Sequence, residues 1–313
     1  MTMLSLPFVA GLATLSVAVD RWTGEPRTRH PLVGFGTLAA RLEARLNTGR
    51  RGRLMGLAAW LLAVAPPVAI AAWLVAVLPL PLACAVHVAL LWFALGARSL
   101  HDHIAPIGAA LARRDLAEAR ALTSRIVSRE TAHADEAALA RAAVESALEN
   151  GNDAIFGALF WFAIAGGPGA LAFRLANTLD AMWGYRTPRY LRFGWAAARI
   201  DDVLNWIPAR LTATSYALLG DTRTAWQCWR DQAHRWDSPN AGPVMAAGAG
   251  SLNVRIGGPA VYHGALEQRP TLGAGEPAAA RHVPAALHLV ERSVTLWLTV
   301  LIALALLSVP FHG

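Results

Sequence analysis

Long apolar runs, broken at few places by charge or proline, dominate the chain. Met1 to Val19 is uncharged until Asp20, Leu54 to Leu78 and Leu80 to Leu95 are almost wholly apolar, and Thr295 to Phe311 is nearly unbroken Leu, Val, Ile and Ala. A helix needs about 20 apolar residues to cross the hydrocarbon core of a bilayer. The pattern therefore predicts four transmembrane helices. The first run lacks the basic start of a secretory signal and reads as a retained anchor. Only Pro79 separates the second run from the third, which predicts a tight hairpin, and Pro66 and Pro67 predict a kink in the second.

Between these runs the pattern changes. Ala105 to Glu149 is rich in Ala, Leu, Arg and Glu with apolar residues at helical spacing, which predicts soluble helices. Ala154 to Phe173 is uncharged and long enough to span, yet Gly166-Gly167-Pro168-Gly169 interrupts it near its end. Asp202 to Gly220 is similar, with Arg210 in its middle. Asp221 to Val290 is polar and rich in glycine and proline, and reads as short helices. The expected fold class is all-α: a polytopic integral membrane protein with four spans, a re-entrant or buried apolar core, and cytoplasmic helices. The expected division is an N-terminal membrane region (1–97), a cytoplasm-facing catalytic region (98–292) and a C-terminal anchor (293–313).

Composition sharpens this picture. Hydrophobic residues make up 55% and charged residues 16% of the 313, against roughly 25% charged in a soluble domain. All 28 basic residues are arginine, so there is no lysine for a Walker-type phosphate loop or a Schiff base. The net charge of +7 does not mark a nucleic-acid binder, because the arginines are scattered and flank apolar runs. That placement suits membrane topology instead: arginines crowd Asp20 to Arg53 and the segment from Arg98, while the hairpin tip has none, which puts both basic segments in the cytoplasm. Two distant cysteines, Cys84 and Cys228, support neither a disulfide framework nor a zinc site.

Polar residues concentrate in three segments. In the first, Glu145 and Glu149 lie one turn apart on a helix, and Asp153 continues that face. This line of carboxylates suits Mg²⁺, which takes hard oxygen ligands and shares them with phosphates; it equally suits a solvated face balanced by Arg141. The second holds Arg174, Asn177 and Asp180, suited to anion or ribose recognition or to a helix exit at the membrane interface, where Trp183 and Tyr185 would sit. The third holds Arg199, Asp201, Asp202, Asn205 and Arg210. Adjacent aspartates beside an apolar helix are costly unless paired, and they read as a second Mg²⁺ cluster or as buried ion pairs. Smaller signals are Asp20, Glu25 and His30 after the first run, and Ser128-Arg129-Glu130-Thr131, an anion site or a helix cap on Thr131. Ser238-Pro239-Asn240 and Gly257-Gly258-Pro259 read as turns. Fingerprints of dinucleotide binders, serine hydrolases and zinc proteases are absent.

Taken in order, these segments resemble the adenosylcobinamide-phosphate synthase (CobD/CbiB) family of cobalamin biosynthesis, from Asp20 to about His263. The longest matching block is Phe193-Gly194-Trp195 through Arg199-Ile200-Asp201-Asp202 and Asn205-Trp206-Ile207-Pro208-Ala209-Arg210. Glu25 and Glu130 stand where the family usually has aspartate, and Pro243 stands where tryptophan is common. The resemblance implies a multi-pass enzyme of the bacterial inner membrane whose active region faces the cytoplasm. Its reaction would join adenosylcobyric acid, a corrinoid substrate, to aminopropanol phosphate or aminopropanol, using ATP and Mg²⁺. The bilayer and other late corrinoid-pathway enzymes are the implied partners, and nucleic acid is not.

Within that implied reaction, Glu145, Glu149, Asp153, Asp201 and Asp202 are candidate metal ligands, with Asn150 and Asn205 as neutral oxygen donors. Arg129, Arg174, Arg199 and Arg210 are candidate phosphate and carboxylate clamps, joined in substrate binding by Asn177, Asp180 and Asn240. Asp20, Glu25 or His30 is the candidate base for the amine, with Asp201 and Asp202 also counted as catalytic. Because ATP is cytoplasmic, Ala154 to Phe173 is expected to be re-entrant or protein-buried rather than a full span. A non-enzymatic membrane relative of regulatory role, or a transporter, are the competing functions. A transporter would need two similar halves with paired broken helices, and no such symmetry is visible.

Overall fold

The computed structural model describes residues 4–24, 31–49, 51–262 and 264–308. Helices α1 (Leu6–Thr23), α2 (Pro31–Leu46), α3 (Gly52–Val77), α4 (Leu80–Ala94), α5 (Ala97–Ala112) and α6 (Leu116–Thr123) lead to α7 (Glu136–Gly151). A π turn (Asn152–Phe156) joins α7 to α8 (Gly157–Trp183), and α9 (Trp195–Leu219), α10 (Thr222–Gln232) and α11 (Ala241–Ser251) follow. Five short strands, β1 (Val254–Gly257), β2 (Ala260–Tyr262), β3 (Ala265–Glu267), β4 (Thr271–Gly273) and β5 (Glu276–Pro277), precede the last helix, α12 (His282–Ser308).

Among the described residues, four stretches are long and apolar enough to cross a membrane: Gly52–Val77, Leu80–Ala112, Glu136–Trp183 and His282–Ser308. The protein is a polytopic, all-α membrane protein. Leu57, Leu61, Leu62, Ile70 and Trp73 of α3 and Leu304, Leu306 and Leu307 of α12 are exposed. Large side chains displayed in rows are costly in water and natural against lipid tails.

Among the described residues, these four candidates differ from the four apolar runs. Helix α1 is absent from the set, because its 18 residues run on through Asp20 and Arg21. Glu136–Trp183 takes its place, and two-thirds of its most apolar window is buried. The ambiguous run from Ala154 to Phe173 lies inside it. There the helix breaks at Ala165 (φ −133°) and Gly166 (φ 63°), and the Gly167 N–H freed by the break donates to His87 Nδ1 at 2.9 Å. The hairpin between the second and third runs forms with Pro79 at the start of α4, and α3 continues through Pro66 and Pro67.

Two further differences concern ends and strands. The cap of α7 is Asp135, whose Oδ1 accepts from the Ala138 N–H at 2.8 Å, whereas Thr131 donates its hydroxyl to the Arg120 carbonyl at 3.1 Å. The region from Asp221 to Val290, expected as short helices, also holds the strands. They form a three-stranded sheet ordered β4-β1-β5 and a β2-β3 hairpin, with Arg255 of β1 opposite Gly273 of β4.

The chain clusters into two compact units: residues 1–96, 157–205 and 300–313, and residues 97–156 and 206–299. In the first, α3 packs its small-residue side (Ala59, Ala63, Ala71) into a core with Leu171, Leu175, Leu179, Trp183 and Phe193. Here Gly56 lets the backbones touch, since a Cβ at that position would fall 1.9 Å from the Phe193 carbonyl oxygen. Backbone cannot yield as a side-chain tip can. Gly56→Ala is expected to cost ~1–3 kcal/mol through overpacking, read as a lowered Tm of the detergent-solubilised protein.

Candidate active site

The second unit buries a carboxylate among arginines. Glu145 sits on α7 with 4% of its surface exposed. Its Oε2 accepts from Arg129 Nη2 at 2.5 Å and from Arg269 Nη1 at 3.2 Å, and its Oε1 accepts from the Gly257 N–H at 2.7 Å. Gly257 has φ +72°, and a Cβ there would meet the Pro270 carbonyl oxygen at 2.1 Å. Only glycine satisfies both demands, so the Gly257-Gly258 turn is built to deliver an amide to Glu145. Gly258 holds the turn closed: its N–H donates to the Pro270 carbonyl at 3.0 Å, and its own carbonyl accepts from Arg269 Nε at 3.1 Å.

The solvated carboxylate face balanced by Arg141 is therefore not what forms. The balance comes from Arg129 and Arg269. Arg141 instead donates from Nη2 to the Pro259 carbonyl at 3.1 Å. Arg269, 124 residues from Glu145, leaves no local trace in the sequence; the glycine pair at 257–258 is the one signal near it.

The other candidates in this unit have distinct roles. Glu149 is half-buried one turn further along α7. Asn150 turns its amide to Ser146, with Nδ2 2.9 Å from the Ser146 carbonyl. Asp153 accepts from Asn152 Nδ2 at 2.9 Å, and Asn152 in turn accepts from Thr212 Oγ1 at 3.0 Å. Arg210 donates from Nη1 to Asn240 Oδ1 and to the Trp206 carbonyl, both at 2.9 Å, and from Nη2 to the Pro239 carbonyl at 3.1 Å. Its guanidinium also lies over the Trp206 ring, 4.4 Å from the centroid. Arg210 thus anchors the Ser238-Pro239-Asn240 turn that starts α11.

The first unit holds the other set. Asp201 on α9 is buried, and it accepts from Asn205 Nδ2 at 3.1 Å and from Asn177 Nδ2 at 3.4 Å. Its carboxyl is pushed up to about 6, mostly by burial; the two asparagine hydrogen bonds oppose that rise and neighbouring Asp202 adds to it. Asp202 is half-buried and accepts from Arg199 Nη1 at 3.5 Å; burial raises it too, against the pull of Arg199 and Arg186. Asp180, on α8, lies within electrostatic range of both aspartates. Arg174 is half-buried on the same helix, and Asp20 is buried near the end of α1. Glu25 and His30 lie outside the described residues.

Among the described residues, no group of three or more His, Cys, Asp or Glu side chains is close enough to hold a metal ion. Mg²⁺ does not require such a cage, since it keeps several waters and binds through one or two carboxylates and substrate phosphates. Asp201 and Asp202, with Asp180 beside them, have the hard-oxygen chemistry and the excess negative charge for that mode. Glu145 does not, because both its oxygens are already taken by guanidinium and amide donors.

This architecture defines a polytopic helical membrane protein with carboxylates buried among arginines and asparagines. A model of the CobD/Cbib protein family matches residues 13–290. The chain is 56% identical over 290 residues to the cobalamin biosynthesis protein CobD of Stutzerimonas stutzeri, covering 92% of this chain and 95% of that protein. It is 52% identical over 307 residues to the protein of that name from Chromobacterium violaceum, covering 96% and 97%. For the Mycobacterium tuberculosis protein of that name the identity is 44% over 260 residues, covering 80% and 82%. The chain belongs to the CobD/CbiB family. No solved structure matches it.

The raised Asp201 carboxyl makes stability depend on pH. Below its ordinary value of 3.8 the group is protonated in the folded and unfolded chain alike, and its burial is unopposed by charge. As pH rises through about 6 the folded chain must bury the anion, and that stability is lost. Asp201→Asn removes the titration, so the Tm of the unaltered protein should fall relative to the variant as pH rises through this range. A constant difference in Tm would contradict the assignment.

Proposed function

We propose that this chain acts in cobalamin biosynthesis as an ATP-dependent acid–amine ligase. It would join a propionate of adenosylcobyric acid to the amine of aminopropanol phosphate, or of aminopropanol, giving the amide with release of ADP and phosphate. The observation that carries this reading is family membership over residues 13–290, a range that includes both buried charged sets. The relatives' names support the pathway, and the side chains support the chemistry.

A carboxylate does not condense with an amine in water unaided. Attack of a propionate oxygen on the ATP γ-phosphorus, with ADP leaving, would give an acyl phosphate. The deprotonated amine would then attack the acyl carbon and expel phosphate. The first step needs positive charge around the transferring group, and the arginines beside these carboxylates are suited to supply it. Asp201 and Asp202 would hold Mg²⁺, which when bound neutralises phosphate charge. Arg199 and Arg174 would steady the anionic substrates, Asn177 and Asn205 orient Asp201, and Asp20, Glu25 or His30 would take the amine proton. The active region would face the cytoplasm from the bacterial inner membrane, where ATP is available.

The purified protein in detergent, given adenosylcobyric acid, the aminopropanol substrate and Mg-ATP, should form a product with the mass of the amide and one ADP per amide. Asp202→Asn should cut turnover by roughly 100-fold or more, as loss of a group acting on developing charge does, with little change in Tm because Asp202 is half-buried. Near-normal turnover in that variant would refute its role, and absence of product from the unaltered protein would refute the reading.

A further inference from the structure

The clasp around Glu145 contains more donors than it uses. Arg129 has 10% of its side chain exposed, and its Nη1 is buried with no hydrogen-bond partner among the described residues. The same holds for Arg141 Nε. Arg141 lies in the electrostatic field of both Arg129 and Arg269 as well as of Glu145. Three guanidinium groups thus gather around one fully buried carboxylate. Glu145 is saturated by Arg129, Arg269 and the Gly257 amide, so it cannot serve the spare N–H groups. The turn beside them leaves room: a Cβ at Gly258 would have Arg141 Nη1 as its nearest neighbour, at 3.6 Å.

Buried N–H groups are rarely left unmade, and planar guanidinium forks match phosphate oxygens. We propose that Arg129, Arg141 and Arg269, beside the Gly257-Gly258 turn, form a binding site for a phosphate group carried by a substrate. Glu145 positions two of the three arginines and does not itself touch the ligand. This assignment rests on the ligase reading only for the source of the phosphate, which is either the nucleotide or the amino-alcohol phosphate.

The test is direct binding to the full-length protein in detergent, by calorimetry. The probes are 1-aminopropan-2-ol phosphate and a non-hydrolysable ATP analogue, each titrated separately at fixed ionic strength. Arg141→Gln is the informative variant, because Arg141 bonds to the Pro259 carbonyl and not to Glu145. It should weaken one probe by roughly tenfold or more, as loss of a charge-assisted contact does, and the probe affected names the source. Arg141→Lys should restore part of the affinity, and Arg255→Gln, an exposed side chain on β1, should leave it unchanged. If neither probe binds, or if both bind Arg141→Gln as tightly as the unaltered protein, the site is refuted. Phosphate binding lost in Arg141→Gln, in a protein that makes no amide, would uphold the site and sink the ligase reading.

Discussion

A single buried carboxylate organises the second unit. Glu145 has its two oxygens shared among two guanidinium groups and one backbone amide, drawn from before α7, from the loop after β3 and from the end of β1. Burying this charge is tolerable only because every partner is in place. Removing one side of such an arrangement typically costs ~3–5 kcal/mol, since the other charges stay buried and unpaired. The short strands that follow α11 bury Val254, Ile256 and Leu272 in the core, and the Glu145 contacts add a polar tie between them and α7. One of the arginines that this carboxylate fixes, Arg129, keeps a buried Nη1 with no hydrogen-bond partner among the described residues.

Asp201 applies the same logic with neutral partners. Two asparagine amides replace guanidinium groups, so the carboxylate is oriented without being neutralised. Burial raises its carboxyl, and the two amides pull against that rise. The two sets thus differ in what meets the carboxylate: neutral amides at Asp201, guanidinium groups and a backbone amide at Glu145. Each set lies within its own compact unit.

The membrane architecture was largely legible because apolar runs of this length have few other uses. The hairpin at Pro79 and the last helix follow directly from the pattern. The ends were less legible: α12 begins at His282, ahead of the apolar run, because Glu291 and Arg292 are tolerated on its exposed side. Helix α1 likewise carries Asp20 and Arg21 inside its last turns. The strands between 254 and 277 are two to four residues long, so even the alternation of Val254, Arg255 and Ile256 in β1 is too short for a period to register. Spacing identified Glu145 and Asp201 as candidates. It could not reveal Arg269, whose contact is set by the tertiary fold, nor that Arg210 would be spent on holding a turn.

The mechanism turns on whether an oxygen of the acid is carried away by phosphate. Adenosylcobyric acid bearing ¹⁸O in the reacting carboxylate, turned over with unlabelled ATP and the amine, distinguishes the routes by the mass of the released phosphate. An acyl phosphate route transfers one labelled oxygen to inorganic phosphate for each amide formed. Release of AMP and pyrophosphate, or of unlabelled phosphate alongside amide, would contradict it.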